Sequence, residues 1–258
     1  MNMLEEIINS PSLLKEIYGD VAKPGAQQLG KALAALLGLG YTAVLPVALL
    51  NEKAKIAFEK NIDRYRKKIE NISENDICEV APEIGVPIIE KFSYVTNEEI
   101  AGMYAELLAK ASSKNSVNQA HPSFVNIINN MSPDEAILLR SLKNSTIIPY
   151  VCVQHTHLKK KGFQILEQVM PLVSCRDMLT FPDNVNSYIS NFSGLGLVEI
   201  RNDRYMIGDG IYEQLERMAQ DKYKKVIELT KDTMKLECHK GQIEITTFGR
   251  MFINACLD

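Results

Sequence analysis

Two groups of residues have types and spacings that could do chemistry. The first is Gly25-Ala26-Gln27-Gln28-Leu29-Gly30-Lys31-Ala32, which follows the glycine and lysine spacing of a phosphate-cradling loop. In such a loop backbone N–H groups and the lysine hold phosphates, and a Ser or Thr hydroxyl after the lysine ligates magnesium. Ala32 has no hydroxyl, and the preceding KEIYGDVAKP lacks the apolar run of a buried strand. Nucleotide binding is therefore not expected.

The second group is Cys152, His155, His157 and Cys175, whose sulfur and imidazole donors are those of a tetrahedral zinc site. If residues 151 to 157 are extended, Cys152 points to one face and both histidines to the other, because side chains alternate along a strand. The expectation is a packed cysteine beside two partly exposed histidines, with no metal and no other cofactor. The sequence contains no Gly-x-Ser-x-Gly elbow, no His-Glu-x-x-His, and no ordered nucleophile with a nearby histidine. Carboxylates such as Glu52, Glu59 and Asp63 alternate with lysines on one helix, the pattern of a solvated face. The reading is of a protein that is not an enzyme and has no small-molecule substrate.

The elements that would position any site are mostly helical. Ser10-Pro11 opens a short leading helix, and Lys23-Pro24-Gly25 breaks the chain. Ala32 to Leu50 then runs nineteen residues without a charge, as long as a bilayer-spanning helix. Five alanines, two glycines and Pro46 interrupt its hydrophobicity and suit close helix packing. Two readings stand: a buried segment of a helical domain, which is favoured, or a membrane segment. Leu33, Leu36, Leu37, Val44 and Leu49 would form its docking face toward a membrane or a protein partner. Residues 52–70 carry seven Lys/Arg against four acids, so a span would leave the larger C-terminal part in the cytoplasm.

From Glu52 to Ile72 the pattern becomes a charged helix with a narrow apolar seam of Phe58, Ile62, Tyr65, Ile69 and Ile72. This seam is expected to meet neighbouring helices or a partner. Pro82, Gly85 and Pro87 read as a connection, Thr96 to Glu99 as a capping box opening a helix to about Ser112, and Ser132-Pro133-Asp134-Glu135 as a second capped start. His121-Pro122 reads as a structural hinge before another helix.

After Asn144 the composition shifts. Thr146 to Val153 reads as a strand, Phe163 to Val169 as a helix or loop, and Asn184 to Phe192 as a helix. Leu197 to Ile200 and Tyr205 to Ile207 would pair as a hairpin; a helix would fill Ile211 to Leu229. Two further short strands would turn at Lys240-Gly241, and Thr246 or Thr247 would cap a terminal helix. The expected fold is mainly α: a helical domain over residues 1–130 containing the uncharged segment 32–50, then an α+β winged-helix-like domain over 131–258.

Partners are bounded by charge. The chain carries 29 Lys/Arg against 32 Asp/Glu, and neither half is strongly basic. The candidate recognition helix NVNSYISNF has no Arg or Lys, leaving only Arg201 and Arg204 for phosphate contact. Lys159-Lys160-Lys161 reads as a solvated turn. Nucleic acid is thus not expected, whereas a protein partner or self-association is. Five widely spaced cysteines and an acidic N-terminus without a secretory pattern point to a reducing cytoplasm, with association at the inner face of the membrane as the alternative.

Three segments together carry a resemblance: Pro24 to Ile69, His121 to Leu142 with the run HPSFVNIINNMSPDEAILLRSL, and the ending ITTFGRMFINACL at Ile245 to Leu257. In their order and spacing the chain resembles the abortive infection alpha family of bacterial proteins. That resemblance implies a role in anti-phage defence and supplies no catalytic residue. It suggests a non-enzymatic component whose helical N-terminal region docks on a membrane or partner while the C-terminal domain senses or oligomerises. The competing reading is a soluble regulatory protein with segment 32–50 permanently buried.

Overall fold

The computed structural model describes residues 28, 30–32, 51–208 and 210–257. Leu33, Leu36, Leu37, Val44 and Leu49 lie outside the described residues. The chain divides into two units: one runs to Ala136 and takes up Met251 onward, the other spans Ile137–Arg250.

The first unit is helical. Helix α1 (Glu52–Ile69) is capped by the Asn51 side chain, which accepts from the N–H groups of Lys53 and Ala54 at 3.0 and 3.4 Å. Glu52 in its first turn and Arg66, Lys67 and Lys68 in its last complement the helix dipole. Its seam residues Phe58, Ile62, Tyr65 and Ile69 are all buried. Helix α2 (Pro82–Phe92) corrects the expected connection. Pro82 stands in its first turn, where the missing N–H costs nothing. Ile84, Ile88 and Phe92, spaced by four, bury one face despite Pro87 within the helix.

Helix α3 (Glu98–Ala111) starts where Asn97 accepts from Ile100 N–H at 3.1 Å, and it buries residues on nearly every side, from Ala101 and Met103 to Leu107, Leu108 and Ala111. Such a helix belongs at the centre of a bundle. Helix α4 (Ser123–Asn129) begins beside His121, whose Nδ1 lies 2.6 Å from Ser123 Oγ and accepts from Ser123 N–H at 3.2 Å. Helix α5 (Pro133–Ser141), which starts in this unit and ends in the second, has a reciprocal cap: Ser132 N–H donates to Glu135 Oε2 at 2.6 Å, and Glu135 N–H to Ser132 Oγ at 3.3 Å.

One buried amide closes this bundle. Asn61 on α1 donates from Nδ2 to the carbonyls of Phe92 and Val95 at 3.0 and 2.8 Å, so it fastens the link between α2 and α3. Asn61→Leu strands both carbonyls and is expected to lower stability by about 2 kcal/mol, read as a reduced thermal midpoint in circular dichroism.

The second unit is α+β, built on an antiparallel sheet in the order β2-β1-β4-β3. Strand β1 (Ile147–His157) extends the expected strand, and β2 (Phe163–Pro171) replaces the expected helix or loop. Between them Leu158 to Gly162 turn back, with Gly162 at φ 135°. Helix α6 (Val185–Gly194) leads into β3 (Val198–Arg201). Residues 205–207 form no strand; β3 pairs instead with β4 (Met234–Ile245).

The turn expected at Lys240-Gly241 is likewise absent. Strand β4 runs straight through it because Tyr150 faces Gly241 in register, and a Cβ on Gly241 would fall 2.4 Å from the Tyr150 ring. Glycine here admits an aromatic ring, not a bend. The single helix expected over 211–229 is two, α7 (Glu213–Lys222) and α8 (Lys224–Thr230), broken at Tyr223.

Val151, Val153 and Met170 pack against Tyr212, Leu215 and Ala219 on one face of the sheet, while register puts Ile148, Ile243 and Val198 on the other. Helix α9 (Thr247–Cys256) follows, with Thr246 Oγ1 accepting from Gly249 N–H at 2.8 Å. A sheet centred on two long strands is not the small hairpin of a winged helix, and the fold is mixed α+β where mainly α was expected.

Candidate functional site

The end of β3 carries Arg201 and Arg204. Glu199 and Arg201 alternate onto one face, and the turn returns Asp203 to the same guanidinium. Arg201 donates to both Asp203 oxygens at 2.9 and 2.7 Å and to Glu199 at 2.9 Å. Arg204 lies 3.7 Å from Asp203 and 3.6 Å from Glu244. The guanidinium beside it holds the Asp203 carboxyl well below the usual carboxylate range. Two arginines thus face three carboxylates, and a phosphate would have to displace an ion pair at each contact. The pairs are exposed and add little stability; their consequence is for recognition.

A cleft in the same unit is better formed. Its volume is about 410 Å³, lined by Ser141, Leu142, Ser145, Ile147, Ile148, Pro149, Leu172, Val173, Ser174 and Gln214. Arg250 shapes one wall by donating to the carbonyls of Lys143 and Ser145 in the link from α5 to β1. Leu172 N–H, bonded to Pro149 O at 3.0 Å, fixes another. The volume suits a small ligand or a peptide side chain. None of these lining side chains is ionisable, so the cleft holds by shape and neutral hydrogen bonds and has no acid or base to offer.

The cysteine and histidine group is not brought together. Cys152 lies opposite His239 on β4. His155 is buried, correcting the expected partial exposure, with Nε2 2.9 Å from Thr230 Oγ1. Thr230 gives its hydroxyl proton to Val226 O at 2.7 Å, so His155 must donate, which sets its Nε2–H tautomer. His157 is exposed and Cys175 buried in a separate turn. Among the described residues no group of three or more His, Cys, Asp or Glu is arranged around a metal position, and no helix is long and apolar enough to cross a membrane.

The seam of α1 is occupied from within its own unit. Tyr65 Oη is 2.6 Å from Ser112 Oγ, and Ser112 donates to Leu108 O at 2.6 Å. Sequence reading missed one polar cluster altogether. Glu167, nearly buried on β2, accepts from Lys222 Nζ at 2.6 Å and from Tyr223 Oη at 3.1 Å. Burial and the neighbouring carboxylate push Tyr223 up to about 12. The cluster fastens the α7–α8 junction to the sheet. No local pattern announces it, because its members are 55 residues apart.

A family model described as abortive infection alpha matches residues 57–256. No curated protein matches the chain. Among solved structures, an uncharacterized protein from the hydrocarbon-degrading marine bacterium Alcanivorax borkumensis SK2 is 16% identical, covering 54% of this chain and 92% of that one with a TM-score of 0.30.

Proposed function

Because the chain belongs to the abortive infection alpha family, we propose that it is a non-enzymatic component of bacterial abortive infection, which limits phage by acting on the infected cell. The family match carries the process. In this reading the N-terminal region, including residues 32–50, docks on a membrane or a protein partner, and the C-terminal unit senses infection. The cleft of about 410 Å³ supports the sensing role, since neutral hydrogen-bonding groups on apolar walls suit recognition without turnover.

Phage plating on cells expressing the chain tests the proposal. Expression is expected to lower plaque numbers relative to empty vector, Leu37→Asp to abolish that protection, and Leu172→Trp, which fills the cleft, to abolish it while the protein still accumulates. Equal plating with and without the chain, across a panel of phages, sinks the reading. Protection untouched by Leu37→Asp would instead favour a soluble regulatory protein with that segment uninvolved.

A further inference from the structure

The β1–β2 hairpin ends in Leu158, Lys159, Lys160, Lys161 and Gly162. Gly162 O accepts from His157 N–H at 3.1 Å, which closes the turn. All three lysines are exposed. Lys222 and Lys235, by contrast, hold carboxylates at 2.6 and 2.7 Å; Lys159 to Lys161 take part in none of the unit's ion pairs among the described residues.

Large apolar side chains surround them. Leu158 is 48% exposed, Phe163 58% and Ile165 48%. Phe163 lies opposite Thr156 and Ile165 opposite Gln154, so these two share a face of β2. The turn at Lys231 and Asp232 abuts the tip, where Leu158 N–H donates to Thr233 O at 2.9 Å. Leu229, just before it, is 86% exposed.

We infer that this tip docks on an anionic lipid surface, its lysines among the headgroups and Leu158 and Phe163 beneath them. The inference goes beyond the reading above by placing a lipid contact in the second unit, and rests on that reading only for its biological setting. Charge complementarity carries it: a local excess of lysine on a chain of net charge −3 fits an acidic leaflet, and lysine stems lie along apolar surface while their amines stay wet.

The other occupants fit less well. On a nucleic acid, Leu158, Ile165 and Leu229 would have no apolar surface to meet, and lysines lack the fork that reads phosphate bidentately. A second copy pairing along the edge strand β2 would engage the backbone of Phe163–Pro171 and leave the lysines of the turn without an opposite charge.

The test uses the full chain with phosphatidylcholine vesicles, with or without phosphatidylglycerol. Each lysine at an acidic surface strengthens binding about fivefold, so Lys159→Gln/Lys160→Gln/Lys161→Gln is expected to weaken partitioning onto phosphatidylglycerol vesicles on the order of 100-fold. Its thermal midpoint is expected to stay unchanged, because the turn is exposed. The chain has no tryptophan, so Phe163→Trp places a lone reporter at the tip. Its emission is expected to shift blue on anionic vesicles alone.

Equal binding to both vesicle types, full binding by the triple glutamine variant, or an indole that stays water-exposed on bound protein would each overturn the inference. So would an indole that responds to duplex DNA and ignores vesicles. Vesicle binding abolished by Leu37→Asp and untouched by the glutamine variant would refute the tip while leaving the proposed function standing.

Discussion

Gly249→Ala is expected to lower stability by about 3 kcal/mol or more, with a fall in thermal midpoint of about 10 °C. A Cβ at this position would stand 2.0 Å from the Leu197 carbonyl oxygen and 2.8 Å from its carbon. Neither atom has room to move. Leu197 N–H donates to Phe192 O at 2.9 Å, and Leu197 O accepts from Thr246 N–H at 3.0 Å. The first turn of α9 would have to retreat, taking with it Arg250 and its bonds to the Lys143 and Ser145 carbonyls. Gly194→Ala is the control: its added methyl meets nothing within 4 Å and is expected to be neutral or mildly stabilising. Thermal melts followed by circular dichroism decide; a Gly249→Ala melt superimposed on the parent's would show that α9 does not sit against Leu197.

Strong alkali is expected to unfold the protein. Burial raises the pKa of Tyr65, Tyr104 and Cys256 above their ordinary values, and Tyr104 is also held by its hydrogen bond to Asn129 Oδ1 at 2.6 Å. In the unfolded chain a cysteine releases its proton near 8.5 and a tyrosine near 10. The sign follows from proton counts. Below those values both states keep their protons and stability is flat; above them only the folded state does, so stability falls as pH rises. Each group steepens that fall by about 1.4 kcal/mol per pH unit, or about 4 for the three together once pH passes 10. Against a typical total of about 5–15 kcal/mol, this places unfolding above about pH 11.

The measurement is a pH titration followed together by circular dichroism and by tyrosinate absorbance. The buried tyrosines are expected to ionise only as the helices melt, and Tyr65→Phe with Tyr104→Phe to remove most of the slope. Ionisation of every tyrosine near pH 10 with secondary structure intact would contradict it. Tyr223 and Cys238, pushed up to about 12 and about 11, are partly exposed and add less.

Where structure follows from local chemistry, it was readable in the sequence. Ser132 with Glu135, and Thr246, cap helices at the positions their side chains announced, whereas Asn97 takes the cap that the Thr96–Glu99 pattern assigned to Thr96; the α1 seam buries from Phe58 to Ile69, and Ile72, beyond the helix, is half-buried. The misreadings lie where a distant residue decides. Lys240-Gly241 has the composition of a turn, yet Tyr150, some ninety positions away, holds it flat. FQILEQV reads by itself as a helix or loop, and pairing with β1, including shifts in register, makes it β2. Pro82 and Pro87 suggested a break, but one occupies a helix start and the burial of Ile84, Ile88 and Phe92 outweighs the other.

The candidate cleft was illegible for a similar reason, since its walls come from α5, β1, the end of β2 and α7. Arg201 and Arg204 were visible as residues. Their carboxylate partners Asp203 and Glu199 are near in sequence; Glu244 arrives only through β4.

The pairing of β1 with β4 and the return of residues from Met251 onward to the first unit bear on when the chain becomes a folded protein. Tyr150 waits for Gly241, and Phe124 for Phe252, whose ring it meets edge-on at 5.2 Å. Neither unit closes while its C-terminal residues are still inside the ribosome. Contacts so remote along the chain form slowly, and a chain whose synthesis stops early has no completed sheet and no completed bundle. Both cores therefore stay half-built until the residues from Gly241 to Phe252 are available to pair.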